Sequence, residues 1–242
     1  MTKIAMWSGP RSISTALMRS FENRPDTFVS DEPFYAHYLH ETEEDHPYSK
    51  ETILQGETNW AMVAKYITGD IPRGKKVWYQ KHMVLHNLPG NDLSWIGKMH
   101  NIILIRHPRE VILSYIKKYE IRNVLQLGYR QLTSLFTMLK ERSGVVPLII
   151  DARDVLKDPE GILKELCGRV YIPFYKEMLS WPAGRRDSDG IWGKHWYGDV
   201  ERSTRFKKYV INNDIVSPDL KSIFADCMDC YQQLYQHRMR VV

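Results

Sequence analysis

The chain has 242 residues, 43% of them hydrophobic and 12% aromatic, enough for one sizeable core and too ordinary for a disordered or fibrous protein. Its 34 Lys and Arg outweigh 29 Asp and Glu to give a formal charge of +5, which suits a small polyanionic ligand; the basic residues are dispersed among acidic ones, and no nucleic-acid partner is expected. No apolar run approaches the roughly 20 residues that span a bilayer or forms a signal-peptide core, and Cys167, Cys227 and Cys230 make neither a disulfide framework nor a metal-binding set. The expectation is one cytoplasmic domain over residues 1–242, with no membrane span and no metal.

Apolar runs alternate with helical periodicity, the pattern of a parallel sheet covered by helices. The first strand is expected at residues 4–7, followed by a helix through Ala16, Leu17 and Phe21 that ends before Pro25. A short second strand at 28–30 leads into Asp31-Glu32-Pro33. The acidic stretch 41–50 reads as a mobile surface loop, and a helix follows at 60–67. Strands are expected at 77–81 and at 102–106. Pro108 suits the first turn of a helix through Val111, Ile112 and Tyr115. A longer helix is expected over 124–140, a strand in "VPLIID", and helices after Pro159, after Pro173 and at 220–235.

The opening stretch "MWSGPRSISTALMRSF" carries the first chemical signal. A strand that enters a small-residue turn and then a helix gathers unpaired backbone N–H groups at one point, where the helix dipole also favours an anion. The candidate residues are Ser8, Gly9, Pro10, Arg11, Ser12, Ile13, Ser14 and Thr15. Gly9 allows close backbone approach, Arg11 supplies a planar charged fork, and the hydroxyl residues can donate. The plain alternative is that Ser12 or Ser14 merely caps the helix. A Walker A loop would need Lys before its last hydroxyl residue, and Ala16 and Leu17 follow Thr15 instead.

A second signal lies in "LIRHPREVILSY". Arg106 closes a strand and Ser114 lies two turns into the next helix, so both can face one anionic group at the sheet's carboxyl edge. With "RSIST" in the first loop, and Arg106, Pro108 and Ser114 in the second stretch, the chain resembles the sulfotransferases that use 3′-phosphoadenosine 5′-phosphosulfate. "LIIDARDVLKDPEGILKELC" resembles that family's following strand–helix unit. "GKHWYGDVERSTRF" resembles its nucleotide-covering loop through Lys194, Gly198 and Asp199. The likeness runs from about residue 4 to about residue 206. It departs where Ile13 and Ser14 replace Gly and Thr of the family loop, and where Gly193 and His195 stand in the covering loop.

The resemblance implies a P-loop-NTPase-like three-layer α/β fold, with 3′-phosphoadenosine 5′-phosphosulfate as co-substrate. The implied reaction is transfer of a sulfuryl group to a hydroxyl or amine of a small-molecule, carbohydrate or lipid acceptor. Arg11 would neutralise the transferring oxygens, and Lys81, at the end of the third strand, would be a second cation. Glu32 ranks first as the base for its position, followed by His82 and His86. His37 and His40 could line the acceptor site or lie at the surface. Phe34, Tyr35, Tyr38, Trp78 and Trp192 are the aromatic supply for an acceptor or the core. The acidic stretch 41–45 could gate the site or exclude anionic acceptors. Two other readings stay open: a catalytically silent nucleotide-binding protein of the same fold, and a small-molecule kinase of the P-loop type.

Overall fold

The computed structural model describes residues 1–241. Five strands form one parallel sheet: β1 (Thr2–Ser8), β2 (Thr27–Asp31), β3 (Val77–Met83), β4 (His100–Ile105) and β5 (Leu148–Asp151), in the order β2-β3-β1-β4-β5. β1 pairs with β3 on one side and β4 on the other, so the chain turns outward from the sheet's middle in both directions. That reversal opens a crevice beyond the carboxyl ends of the strands, the usual ligand position in such sheets.

Helices cover both faces. α1 (Ser14–Glu22), α2 (Tyr35–Thr42), α3 (Ser49–Gln55) and α4 (Trp60–Thr68) precede β3. α5 (Pro108–Tyr115), α6 (Tyr129–Ser143), α7 (Ala152–Lys157) and α8 (Pro159–Arg169) follow β4. The short α9 (Gly193–Trp196) and α10 (Gly198–Glu201) precede the last helix, α11 (Lys221–Tyr235). The period of two along each strand separates two cores. Ile4, Met6, Tyr79, Ile102 and Leu104 pack with Leu17, Phe21 and Leu163 under α1 and α8. Ala5, Trp7, Ile103 and Ile105 pack with Val63, Ile112, Leu135 and Leu234 under α4, α5, α6 and α11. Among the described residues no helix is long and apolar enough to cross a membrane, and Cys167, Cys227 and Cys230 are free.

Three expected elements differ. The helix expected over 124–140 is a 3-10 turn at Val124–Leu127, a break at Gly128 with φ 76°, and then α6. A Cβ at Gly128 would lie 2.9 Å from Val84 Cγ1, so close packing and a positive φ both require glycine there. After Pro173 only a 3-10 turn, Lys176–Leu179, forms. Side chains of α1 and its exit take the carbonyls: Arg24 donates to the Pro173 oxygen and Ser20 to the Met178 oxygen, each at 2.7 Å. The stretch 41–50 is a loop only at 43–48, between α2 and α3.

Candidate active site

The loop between β1 and α1 has Arg11 and Ile13 in the left-handed region, at φ 58° and 62°. Two non-glycine residues in that conformation make a costly turn, of the kind kept at ligand sites. No side chain caps α1; the Ser12 hydroxyl turns back to the Pro10 carbonyl at 3.2 Å. The first N–H groups of the helix are therefore uncapped at a wall formed by Ile13, Ser14, Thr15 and Ala16. Gly9 has a different reason for being glycine from the one expected. A Cβ there would lie 2.6 Å from the Leu127 carbonyl oxygen, so the contact that excludes a side chain is with the chain itself.

That wall belongs to a cavity of about 580 Å³ at the crevice. Pro10, Arg11, Arg106, Glu110 and Ser114 continue it. Arg11 Nε donates to the Ser114 hydroxyl at 2.9 Å. Arg106 donates to the Arg11 carbonyl at 2.8 Å and pairs with Glu110 at 2.8 Å. The two anchor stretches thus converge, with Arg106 splinting the loop while facing the same space. Arg205, Lys207 and Lys208 add positive charge to this end.

Lys81 stands deeper. It was expected at a strand terminus; β3 runs on to Met83, and Lys81 is 2% exposed. The parallel register sets Asp31 on β2 beside Lys81 on β3. Lys81 Nζ donates to Asp31 at 2.9 Å, to Glu32 at 2.5 Å and to the Tyr197 hydroxyl at 2.6 Å. Burial alone would lower the ammonium's pKa, but the two carboxylates outweigh it and hold the group well above the ordinary lysine range. Burial pushes Asp31 upward against the pull of Lys81. Tyr197 donates in turn to Asp31 at 2.7 Å, and burial followed by the Asp31 charge holds its hydroxyl protonated.

His86 comes to the same place through the 3-10 turn Val84–His86, with Nε2 3.8 Å from Glu32. Burial, then the charge of Lys81, keeps its ring neutral. His82 does not come to the cavity. One residue after Lys81 on a strand, it points to the opposite face and stacks on Trp7 at 4.4 Å, and burial pushes its pKa down to about 3. His37 is tied to the Thr58 carbonyl at 2.8 Å, and His40 is exposed outside the cavity. Among the expected aromatics, Tyr35, Tyr38 and Trp192 line the cavity, while Phe34 and Trp78 are core. Ser8 and Gly9 lie beneath the loop. Lys194 is exposed over the Tyr48 ring at 5.7 Å, and Gly198 also lies off the wall, which Asp199, Val200 and Ser203 form instead.

Asp31 and Tyr197 escaped the sequence reading, as did Glu110, Tyr115, Tyr119 and Trp196. Asp31 alone had a signal: two acidic residues ending a strand beside one that ends in Lys. The stretch carrying Tyr197 is held down by buried polar contacts, Arg19 with Asp189 at 2.6 Å and the Gly190 N–H to Asp31 at 3.2 Å.

Comparison with known proteins agrees with this architecture. A family model described as "Sulfotransferase domain" matches residues 2–234. Two Arabidopsis thaliana proteins, Branched-chain-amino-acid aminotransferase-like protein 1 and 2, are 40% and 36% identical over 85% and 98% of this chain. The chain spans 37% and 42% of their lengths, so their names describe much longer proteins. A sulfotransferase from Alicyclobacillus acidocaldarius superposes with a TM-score of 0.59 at 12% identity, covering 99% of this chain and 97% of that one. The sulfotransferase domain from the curacin biosynthetic pathway does so at 0.53 and 17%, covering 97% of each chain. Mouse sulfotransferase SULT7A1, complexed with PAP, does so at 0.52 and 17%, covering 98% and 89%. The three-layer fold is of the P-loop-NTPase-like kind.

Proposed function

Because this chain belongs to the sulfotransferase family, we propose that it moves a sulfuryl group from 3′-phosphoadenosine 5′-phosphosulfate to an acceptor hydroxyl or amine. The observation that carries the reading is that an uncapped helix start and a buried Lys–carboxylate pair open into one cavity. The mouse neighbour's complex with PAP supports the choice of nucleotide. The residues fit such a ligand: the free N–H groups of α1 and the Arg11 fork suit its 5′-phosphosulfate, and Arg106 with Ser114 suits its 3′-phosphate. The donor supplies an activated sulfur–oxygen bond.

The chain's part is to hold charge and take a proton. Arg11 and the loop N–H groups lie where negative charge collects on the departing phosphate oxygen. Glu32, ahead of His86 in this assignment, accepts the acceptor's proton as its oxygen or nitrogen bonds to sulfur and the bond to phosphate breaks. Lys81 has all three N–H donors engaged, so contact with the transferring group means exchanging one of them. Tyr197 is the neutral partner and the least costly to leave.

Thermal unfolding with 3′-phosphoadenosine 5′-phosphate, with adenosine 5′-phosphate and with ATP plus magnesium tests the reading first. Stabilisation by the 3′-phosphorylated nucleotide alone, at about 2.7 kcal/mol for 100 times its Kd, is expected. Stabilisation by ATP alone would overturn it in favour of a kinase. Transfer of labelled sulfate to an acceptor panel then separates an enzyme from a silent nucleotide-binding protein.

A further inference from the structure

Glu110 is a carboxylate in a wall otherwise suited to an anion. On α5, one turn beyond Arg106, it lines the same cavity as Arg11, Arg205, Lys207 and Lys208. The other two acidic residues of the lining are engaged elsewhere, Glu32 with Lys81 at 2.5 Å and Asp199 with Arg202 at 2.7 Å. A bare charge at Glu110 would repel a phosphate, the more so where water is scarce. Glu110 is not bare. Its Oε2 accepts from Arg106 Nε at 2.8 Å, and its Oε1 accepts from the Tyr209 hydroxyl at 3.0 Å. Arg106 Nη1 donates to the Arg11 carbonyl at 2.8 Å, so two nitrogens of the fork are fixed. Nη2 has no partner among the described residues and is the nitrogen left for a ligand.

Tyr209 belongs to the stretch 206–217, which has neither helix nor strand. Phe206 anchors its start, buried and edge to face with Trp181 at 5.0 Å, and Val216 near its end packs against the core that α11 covers. Between these two anchors no backbone group bonds to the rest of the described chain, and the Tyr209 hydroxyl makes the one hydrogen bond that does. Lys157 adds a contact, its ammonium 5.4 Å from the centre of the Tyr209 ring. Lys207 and Lys208, next to Tyr209, are exposed at the cavity, and their reach over it depends on that hold.

We infer that Glu110 and Tyr209 are positioning residues for the donor nucleotide, an inference that rests on the sulfuryl-transfer reading. Glu110 fixes Arg106 through Nε and leaves Nη2 to the 3′-phosphate. Through Tyr209 the same carboxylate seats the strap 206–216, and with it Lys207 and Lys208, over that phosphate. Arg106 offsets the carboxylate's charge, so what Glu110 supplies is a fixed point for two elements far apart in sequence. Without the Tyr209 hydroxyl the strap loosens, the lysines lose their place, and the nucleotide leaves sooner.

Tyr209→Phe keeps the ring beside Lys157 and removes only the hydroxyl. On the free protein, trypsin should cut after Lys207 and Lys208 about fivefold faster than in the parent chain, with the far-UV circular dichroism unchanged. In stopped-flow binding, 3′-phosphoadenosine 5′-phosphate should leave the variant about tenfold faster, while adenosine 5′-phosphate changes by less than about twofold. Replacing Lys207 and Lys208 together by alanine should weaken 3′-phosphoadenosine 5′-phosphate about tenfold in the parent chain and by less than about twofold more in the Tyr209→Phe background, a coupling that a merely structural tyrosine would not give. Glu110→Ala should weaken the same nucleotide. Tighter binding by that variant would show a carboxylate that only repels phosphate and would overturn the inference, as would an unchanged cleavage rate or additive losses. If the parent chain does not bind the nucleotide, the functional reading falls instead, and the cleavage rate alone decides whether Tyr209 holds the strap.

Discussion

The Tyr197 hydroxyl donates to Asp31 at 2.7 Å across 166 residues of sequence, and the same hydroxyl accepts from Lys81 at 2.6 Å. One oxygen therefore ties the stretch that covers the cavity to the two strands that floor it. The contact is fully buried, where an unmade bond is expensive.

Removing either partner should separate latch from ion pair. Tyr197→Phe deletes the hydroxyl's bonds to Asp31 and Lys81 and should cost about 1.5–3 kcal/mol, several degrees in Tm for a chain of this size. Asp31→Ala leaves Lys81 with a single carboxylate and an uncompensated donor, and should cost about 3–5 kcal/mol. Far-UV circular dichroism melts of both variants check the ranking, and equal losses would contradict it.

The base assignment makes a kinetic prediction. Glu32→Gln should lower kcat by about 10²–10⁴ while nucleotide affinity stays near that of the parent chain. His82→Phe should leave the pH profile of kcat unchanged, because that ring lies on the far face of the sheet against Trp7. Stopped turnover assays over a pH series decide between them. A profile altered by the His82 variant and not by the Glu32 variant would reverse the assignment.

His82 should appear in stability. Burial lowers its folded pKa to about 3 from an ordinary value of 6.5. Its contribution is therefore fully present above pH 6.5 and is lost as pH falls toward 3, because the unfolded chain takes up the proton and the native chain does not. Urea unfolding of the parent chain should show stability falling through that window. In His82→Phe, which keeps an aromatic ring against Trp7, the fall should be shallower.

Strand periodicity made much of this legible. The runs at β1 and β4 are apolar on both faces, which announces a sheet covered on both sides, and "SGPRSIST" announces an anion site from its residue types. The parity of β3 was also available: Lys81 and His82 are neighbours on one strand and so cannot face one cavity. What could not be read was convergence. Tyr197 reaches Asp31 from a stretch whose preceding turn is pinned by Arg19 and Asp189, and such a pairing leaves no local pattern. Gly9 shows the same limit. Its type marks a crowded turn, but the crowding atom, the Leu127 carbonyl oxygen, lies more than a hundred residues away in sequence.

That crowding gives a direct test. Gly9→Ala places a methyl 2.6 Å from a backbone oxygen that has no flexible side chain to swing aside. The loop or the Val124–Leu127 turn must shift, at a cost of about 1–3 kcal/mol, and nucleotide affinity should fall with it because Arg11 rides on the same loop. Thermal melts with and without nucleotide check both. An unchanged Tm would mean that the turn yields freely.

Arg106 is the residue on which the nucleotide assignment turns. It faces the cavity and also donates to the Arg11 carbonyl, so its removal should affect any nucleotide to some degree through the loop. A direct charge-assisted contact with a 3′-phosphate is worth about 1.5–3 kcal/mol beyond that. Arg106→Ala should therefore weaken 3′-phosphoadenosine 5′-phosphate by about ten- to a hundredfold more than adenosine 5′-phosphate. Calorimetric titration of both nucleotides on both proteins measures the difference. Equal losses would leave Arg106 as a splint for the loop and move the 3′-phosphate site elsewhere on the wall, with Lys207 and Lys208 the next residues to replace.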